Sequence, residues 1–282
     1  MFLLYSFVFL FGLAVGSFLN AVIYRLPFDS AQGKSALKGR SCCPHCKHLL
    51  AWKDLIPLAS FAMLGGKCRY CKARISIQYP LVEICTACIF LLIFNFEFLI
   101  FNEFSNFLIF ETFYLFVIAS LLIVLFVYDL KHYILPDRIL FPAIGIAVAY
   151  QLSVWVIKNW DLIKNLKLEI GNFAPLASAT MAAFGAASFF LAIFLISRGK
   201  AMGFGDVKLA LFMGLFLGWP NILVALFFAF FSGAVVGLSL IFLKRKTMKS
   251  EVPFGPFLIA GTFGALFWGK QAVDYYINLL VI

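Results

Sequence analysis

Charge is what this sequence has least of. Of its 282 residues, 13% are Asp, Glu, Lys or Arg, and only 13 are acidic, far below what the surface of a soluble chain carries. Alternation is missing too: the apolar runs are unbroken, which excludes a transmembrane β-barrel. No basic region precedes the first apolar run and no small-residue cleavage site stands ahead of Arg25. The segment Met1 to Tyr24 therefore reads as a retained membrane helix and not as a removable signal peptide. Nor is there a glycine-rich nucleotide motif. Gly33-Lys34-Ser35 has the ending of a phosphate-binding loop, but the glycine required five residues earlier is Phe28. No internal repeat is evident.

What is present is hydrophobic: 63% of the residues, including 36 Phe. Runs of this kind are long enough to cross ~30 Å of hydrocarbon, so the expected class is an all-α, polytopic integral membrane protein. We expect about eight transmembrane helices, roughly 2–24, 78–102, 112–130, 138–157 and 174–197, a run divided at Trp219-Pro220-Asn221 into two, and a last helix opened by PFGPFLIAG at 253–261. A net charge of +10 in a soluble protein would suggest nucleic acid; here the first question is where the cations lie. All but Lys158, Lys164, Lys167 and Lys270 fall on alternate loops, which the positive-inside rule places in the cytoplasm, with the N-terminus outside. The partner this implies is the lipid bilayer, with no nucleic acid.

The organisation expected is a first helix over 1–27, a small cytoplasmic loop domain over 28–79 and a transmembrane core over 80–282. The loop domain carries CPHC at 43–46 and CRYC at 68–71. Such paired knuckles suit one tetrahedral metal on Cys43, Cys46, Cys68 and Cys71. In a reducing cytoplasm four thiolates point to zinc, the alternatives being two disulfides or free thiols. Four protein ligands leave no open position, so the site is structural. His45 and His48 read as solvated loop residues, the alternative being that either substitutes for a weak ligand. The mixed charges Lys158, Asp161, Lys164, Lys167 and Glu169 read as a solvated face of an external loop.

On the first helix Gly12, Gly16, Ser17 and Asn20 share a face, as a packing stripe or a substrate contact. Glu83 is either satisfied by the positive end of its helix or lines a site. The ionisable groups that ask most for a reason are Asp129, after a long apolar run, and Asp206, in Gly203-Phe204-Gly205-Asp206-Val207-Lys208. They lie on the same side at similar depth, so they can form a dyad in which one carboxyl stays protonated and the other activates water. The rival accounts are separate ion pairs with nearby Lys, proton or cation relay in a transporter, and a zinc-loop membrane scaffold without chemistry. Asp137, after Pro136, reads as the cap of the fourth helix. Lys208 either lowers the pKa of Asp206 or reaches for headgroups. His132 is a lone interfacial histidine.

Taken together, GSFLNAVIYRLP at 16–27, the two CxxC pairs, QYPLVE at 78–83, Asp129 with LPD at 135–137, GFGDVKL at 203–209 and PFGPFL at 253–258 resemble the type IV prepilin peptidases of bacterial pilus and type II secretion systems. The resemblance covers nearly the whole chain. It implies a GxGD intramembrane aspartic protease whose catalytic aspartates match Asp129 and Asp206. It also implies prepilin and pseudopilin substrates, cut after a glycine on the cytoplasmic side of the inner membrane. Members with the cysteine loop also N-methylate the new N-terminal residue, commonly Phe, with S-adenosylmethionine; its region is assigned loosely to the zinc loop and adjoining helix ends. Where family members carry GMG before the aspartate motif, this chain has Ala201-Met202-Gly203.

Overall fold

The computed structural model describes residues 2–26, 41–101, 106–159, 174–200, 202–243 and 252–281. Residues 28–40, the charges from Asp161 to Glu169 and the basic 244–249 loop lie outside these. Among the described residues there is no strand, only isolated bridges at Cys42 with Leu49 and Lys67 with Arg74.

The helices are α1 (Phe2–Arg25), the short α2 (Ala59–Met63), α3 (Gln78–Phe101), α4 (Asn106–His132), α5 (Asp137–Lys158), α6 (Ala174–Ser197), α7 (Phe204–Leu217), α8 (Asn221–Phe242) and α9 (Gly255–Val281). Eight of these have 14 residues or more, at the places the apolar runs predict. Six of them, α1, α3, α4, α5, α6 and α8, are long and apolar enough to cross a membrane. With 14 residues, α7 reaches only about 21 Å at ~1.5 Å per residue, so it is short for a bilayer. The break after it is made by Gly218, at φ +66°, whose N–H closes onto Gly214 at 2.9 Å.

The chain forms two compact units, Met1–Val124 and Leu125–Ile282. In the first, α1 lies directly on α3. A Cβ on Gly12 would fall 2.6 Å from the Cα of Ala87, and one on Gly16 would fall 2.7 Å from the Cα of Glu83. The stripe is therefore a packing seam: the missing side chains let the backbones approach, and dispersion then holds them where lipid offers no hydrophobic drive. Phe90 and Phe116 stack beside it at 4.1 Å between ring centroids.

The second unit uses the same device. Gly214 of α7 meets the backbone of Ala182 and Ala183 on α6, and Gly261 of α9 meets Ala225 and Ala229 on α8. Gln151 of α5 donates to the carbonyl of Leu215 at 2.9 Å. These contacts hold α7 at the centre of the unit, and its first turn carries Asp206.

Candidate functional site

Asp129 sits near the end of α4, where Tyr133 turns back at φ +57° and gives its N–H to the Asp129 carbonyl at 2.8 Å. Asp206 is the third residue of α7, after Gly203 at the N-cap. Both carboxyl groups are buried, at 4% and 8% exposure, and the charge of Asp129 is felt at Asp206. The structure thus brings the two aspartates together. Asp129 accepts the backbone N–H of Gly255 and Asp206 that of Gly203. Among the described residues neither carboxyl group makes an ion pair with a lysine.

Gly203 has ordinary extended geometry, φ −78° and ψ 154°, and not a conformation reserved for glycine. The glycine that matters beside Asp206 is Gly205: a Cβ there would come within 3.1 Å of Leu135 Cβ. Asp137 is not a cap. It opens α5, whose start has no side-chain cap bond, and its carboxylate takes Lys208 Nζ at 2.7 and 2.8 Å. An ammonium in reach offers a charged carboxylate more than a backbone N–H does. His132 packs its ring on Tyr128, centroids 4.5 Å apart.

In the first unit Cys43, Cys46, Cys68 and Cys71 bring their sulfurs within 4.8 Å of one another. Both knuckles fold alike. Lys47 gives its N–H to the Cys43 carbonyl at 3.0 Å and Lys72 to that of Cys68 at 3.0 Å, with φ +58° and +60°. The Cys43 to Cys71 separation of 3.8 Å is far beyond a disulfide and equals the edge of a tetrahedron with metal–sulfur bonds of ~2.3 Å. The residues therefore fit a metal ion. Burial pushes the Cys43 thiol up, but the N–H groups of Cys46 and His45 and the thiols of Cys68 and Cys46 outweigh it, taking it from 9.0 to about 6. At Cys71 an N–H from Ala73 favours the thiolate, yet burial and the neighbouring thiols win, raising it to about 11. A metal ion would replace the protons these sulfurs otherwise share.

Asp54 braces the loop, accepting Arg69 Nε at 2.7 Å, Tyr70 Oη at 3.2 Å and the Ala51 N–H at 3.2 Å. His48 is exposed, as a solvated loop residue would be, and rests its ring on Tyr70 with centroids 3.7 Å apart. Glu83 is the sixth residue of α3, beyond the first turn that a helix dipole serves. It accepts the Leu58 N–H at 2.9 Å and the Ser17 hydroxyl, tying the loop to α3 and α1. Asn20, 3% exposed, donates to the Tyr79 carbonyl at 3.0 Å.

Comparison with known proteins decides the family. Residues 10–96 match the bacterial peptidase A24 N-terminal domain and residues 116–238 the type IV leader peptidase family. A protein of Legionella pneumophila named prepilin leader peptidase/N-methyltransferase is 32% identical over 296 residues, covering 98% of this chain and 95% of its own. Proteins of the same name from Aeromonas salmonicida (strain A449) and Bacillus subtilis (strain 168) are 30% and 31% identical, covering 99% and 97% of this chain and 96% and 98% of theirs. The chain belongs to the type IV leader peptidase family. No solved structure matches it.

For a leader peptidase the two aspartates stood out from the sequence because charge is scarce. The residues that seat them did not. Leu135 and Gly255 lie within LPD and PFGP, motifs visible as strings, but nothing in a leucine announces packing on Gly205 and Gly255, and nothing in a loop glycine announces a bond to a carboxyl group on another helix. Leu58 carries no signal at all, since its contribution is a backbone N–H.

Proposed function

We propose that this multi-pass membrane protein is an aspartic endopeptidase that removes the basic leader of type IV prepilins or pseudopilins after a glycine, and that it N-methylates the residue so exposed, commonly Phe. The observation that carries this is the buried meeting of Asp129 and Asp206 in a chain whose relatives bear that name over nearly their full length. No such observation favours a transporter or a scaffold.

In this reading Asp129 and Asp206 share a proton, because two adjacent carboxylates in a low-dielectric site do not both ionise. The ionised partner takes a proton from water as the water oxygen bonds to the peptide carbonyl carbon. The protonated partner donates to the carbonyl oxygen as charge develops there. Collapse breaks the C–N bond as the carboxyl that gained the water proton delivers it to the leaving amine, while a hydroxyl of the tetrahedral intermediate returns its proton to the other carboxylate and restores the shared proton. The substrate backbone must unwind locally, since a helical peptide bond is shielded by its own hydrogen bonds.

Zinc is the metal that four thiolates in a cytoplasmic loop would select. Held by Cys43, Cys46, Cys68 and Cys71, it would supply structure alone, with no open position for substrate. Methyl transfer calls for S-adenosylmethionine. Among the described residues Glu83 and Thr86 are already engaged, by Leu58 and by the Val82 carbonyl, whereas Asn20 Oδ1 is buried beside Tyr79 without a hydrogen-bond partner. We assign 1–27 to the first transmembrane helix, 28–79 to the zinc-binding domain and 80–282 to the peptidase core. The N-terminus is periplasmic, and the cysteine loop and the aspartates face the cytoplasm from the inner membrane.

The test is cleavage of a purified prepilin in detergent by the wild type, Asp129→Asn and Asp206→Asn, with metal content measured in all three. Loss of cutting in both variants at unchanged metal content is expected. Full activity in either one removes that aspartate from the mechanism.

A further inference from the structure

The short connection between α4 and α5 carries neither aspartate, yet it touches the elements that hold both. Leu135 is buried. Its Cβ stands 3.1 Å from where a Cβ would lie on Gly205, and its Cδ2 3.4 Å from the same point on Gly255. Gly205 immediately precedes Asp206, and Gly255 gives its N–H to Asp129. The leucine thus sits between the two chain segments whose spacing sets the dyad.

Two residues further on, Asp137 holds Lys208 through both carboxylate oxygens, at 2.7 and 2.8 Å. Lys208 lies two residues past Asp206 on α7. Its ammonium also lies over the rings of Phe141 on α5 and Phe204 on α7, at 5.1 and 5.3 Å. A lysine that only reached for lipid headgroups would extend away from the helix pair. This one is held across the junction of α5 and α7 by a carboxylate and two ring faces, all about half exposed.

We propose that Asp137 and Lys208 are a positioning pair for peptide cleavage. Their ion pair fixes the start of α5 against the first turn of α7, seats Leu135 on Gly205 and Gly255, and thereby sets the separation of Asp129 and Asp206. The inference rests on the peptidase reading above. With side-chain exposures of 23% for Lys208 and 52% for Asp137, the pair adds little to stability. A catalytic group displaced by about an ångström costs up to ~100-fold in rate. The pair therefore governs rate far more than fold, which separates it from an ordinary structural contact.

The experiment measures kcat and KM for prepilin cleavage, with thermal unfolding in detergent, for Asp137→Asn, Lys208→Met, the double variant and Lys208→Arg. Each single neutralisation should lower kcat roughly tenfold at unchanged KM and Tm. The double variant should be no worse than the weaker single, and Lys208→Arg, which keeps the charge, should stay near wild type. A wild-type kcat in either neutralised variant, or losses that multiply in the double, overturns the pair. Should Lys208→Met fail to accumulate, Asp137→Asn decides alone: its position is half exposed and makes no cap bond, so a lowered kcat at unchanged Tm supports the pair and a wild-type kcat overturns it. Failure of the wild type itself to cleave overturns the peptidase reading and this inference with it. Cleavage by the wild type with unaffected variants overturns the inference alone.

Discussion

Gly255 gives its backbone N–H to Asp129 and leaves no room for a side chain beside the same carboxyl group. Within the glycine-bearing motifs around Asp129 and Asp206, positions are therefore not equivalent.

Gly255→Ala should cut cleavage by roughly 100-fold while the protein still folds, because the added methyl overlaps an Asp129 oxygen and must displace it or the start of α9. Gly203→Ala should be mild: the nearest atom to its Cβ is Gly205 N at 3.9 Å. Comparing kcat of the two variants checks this, and equal losses would contradict it.

Gly12→Leu should destabilise the first unit by about 1–3 kcal/mol, since its side chain must push α1 off Ala87. Gly145→Ala on α5 meets nothing within 4 Å and should leave the melting temperature unchanged. Thermal unfolding in a mild detergent reads both.

Wild-type protein should carry one metal ion per chain, and Cys68→Ser or exhaustive chelation should remove it and open the loop around 41–77 to protease. Elemental analysis with limited proteolysis measures this. A metal-free wild type with a protected loop would mean that the sulfurs hold the loop in another way.

Asp54 supplies a pH dependence. Burial pushes its carboxyl up, but the bonds from Arg69, Ala51 and Tyr70 outweigh this and hold it below its usual 3.8. A carboxylate lowered on folding stabilises fully above the unfolded value, and that contribution is lost as pH falls through the folded one. Loop protection should thus hold from neutrality to about pH 4 and fall below it, whereas Asp54→Asn should start weaker and lose this step. The partner Arg69 side chain is 47% exposed, so the effect is modest. Hydrogen exchange of the loop amides against pH would show it.

The helices were legible because hydrocarbon length and backbone satisfaction leave an apolar run few options, and the breaks at Pro136 and Trp219-Pro220 lie where the sequence puts them. The aspartates and the cysteines were legible for a related reason: a charge in an apolar chain and four thiols in paired knuckles each demand a partner. Asp137 misled because a residue after proline at a helix start is typical of a cap, and only tertiary structure brings Lys208 within its reach. Glu83 was ambiguous for the same cause, its partner being the N–H of Leu58 in another segment.

That N–H has a further consequence. Leu58, at φ +57°, falls between the knuckles, so its bond to Glu83 divides one long excursion from the membrane into two shorter arms, each ending in a pair of thiols. Closing a loop costs entropy that grows with its length, and a fixed midpoint shortens both searches. The metal then joins two arms that already start from a common anchor, and its loss frees the arms without cutting the anchor.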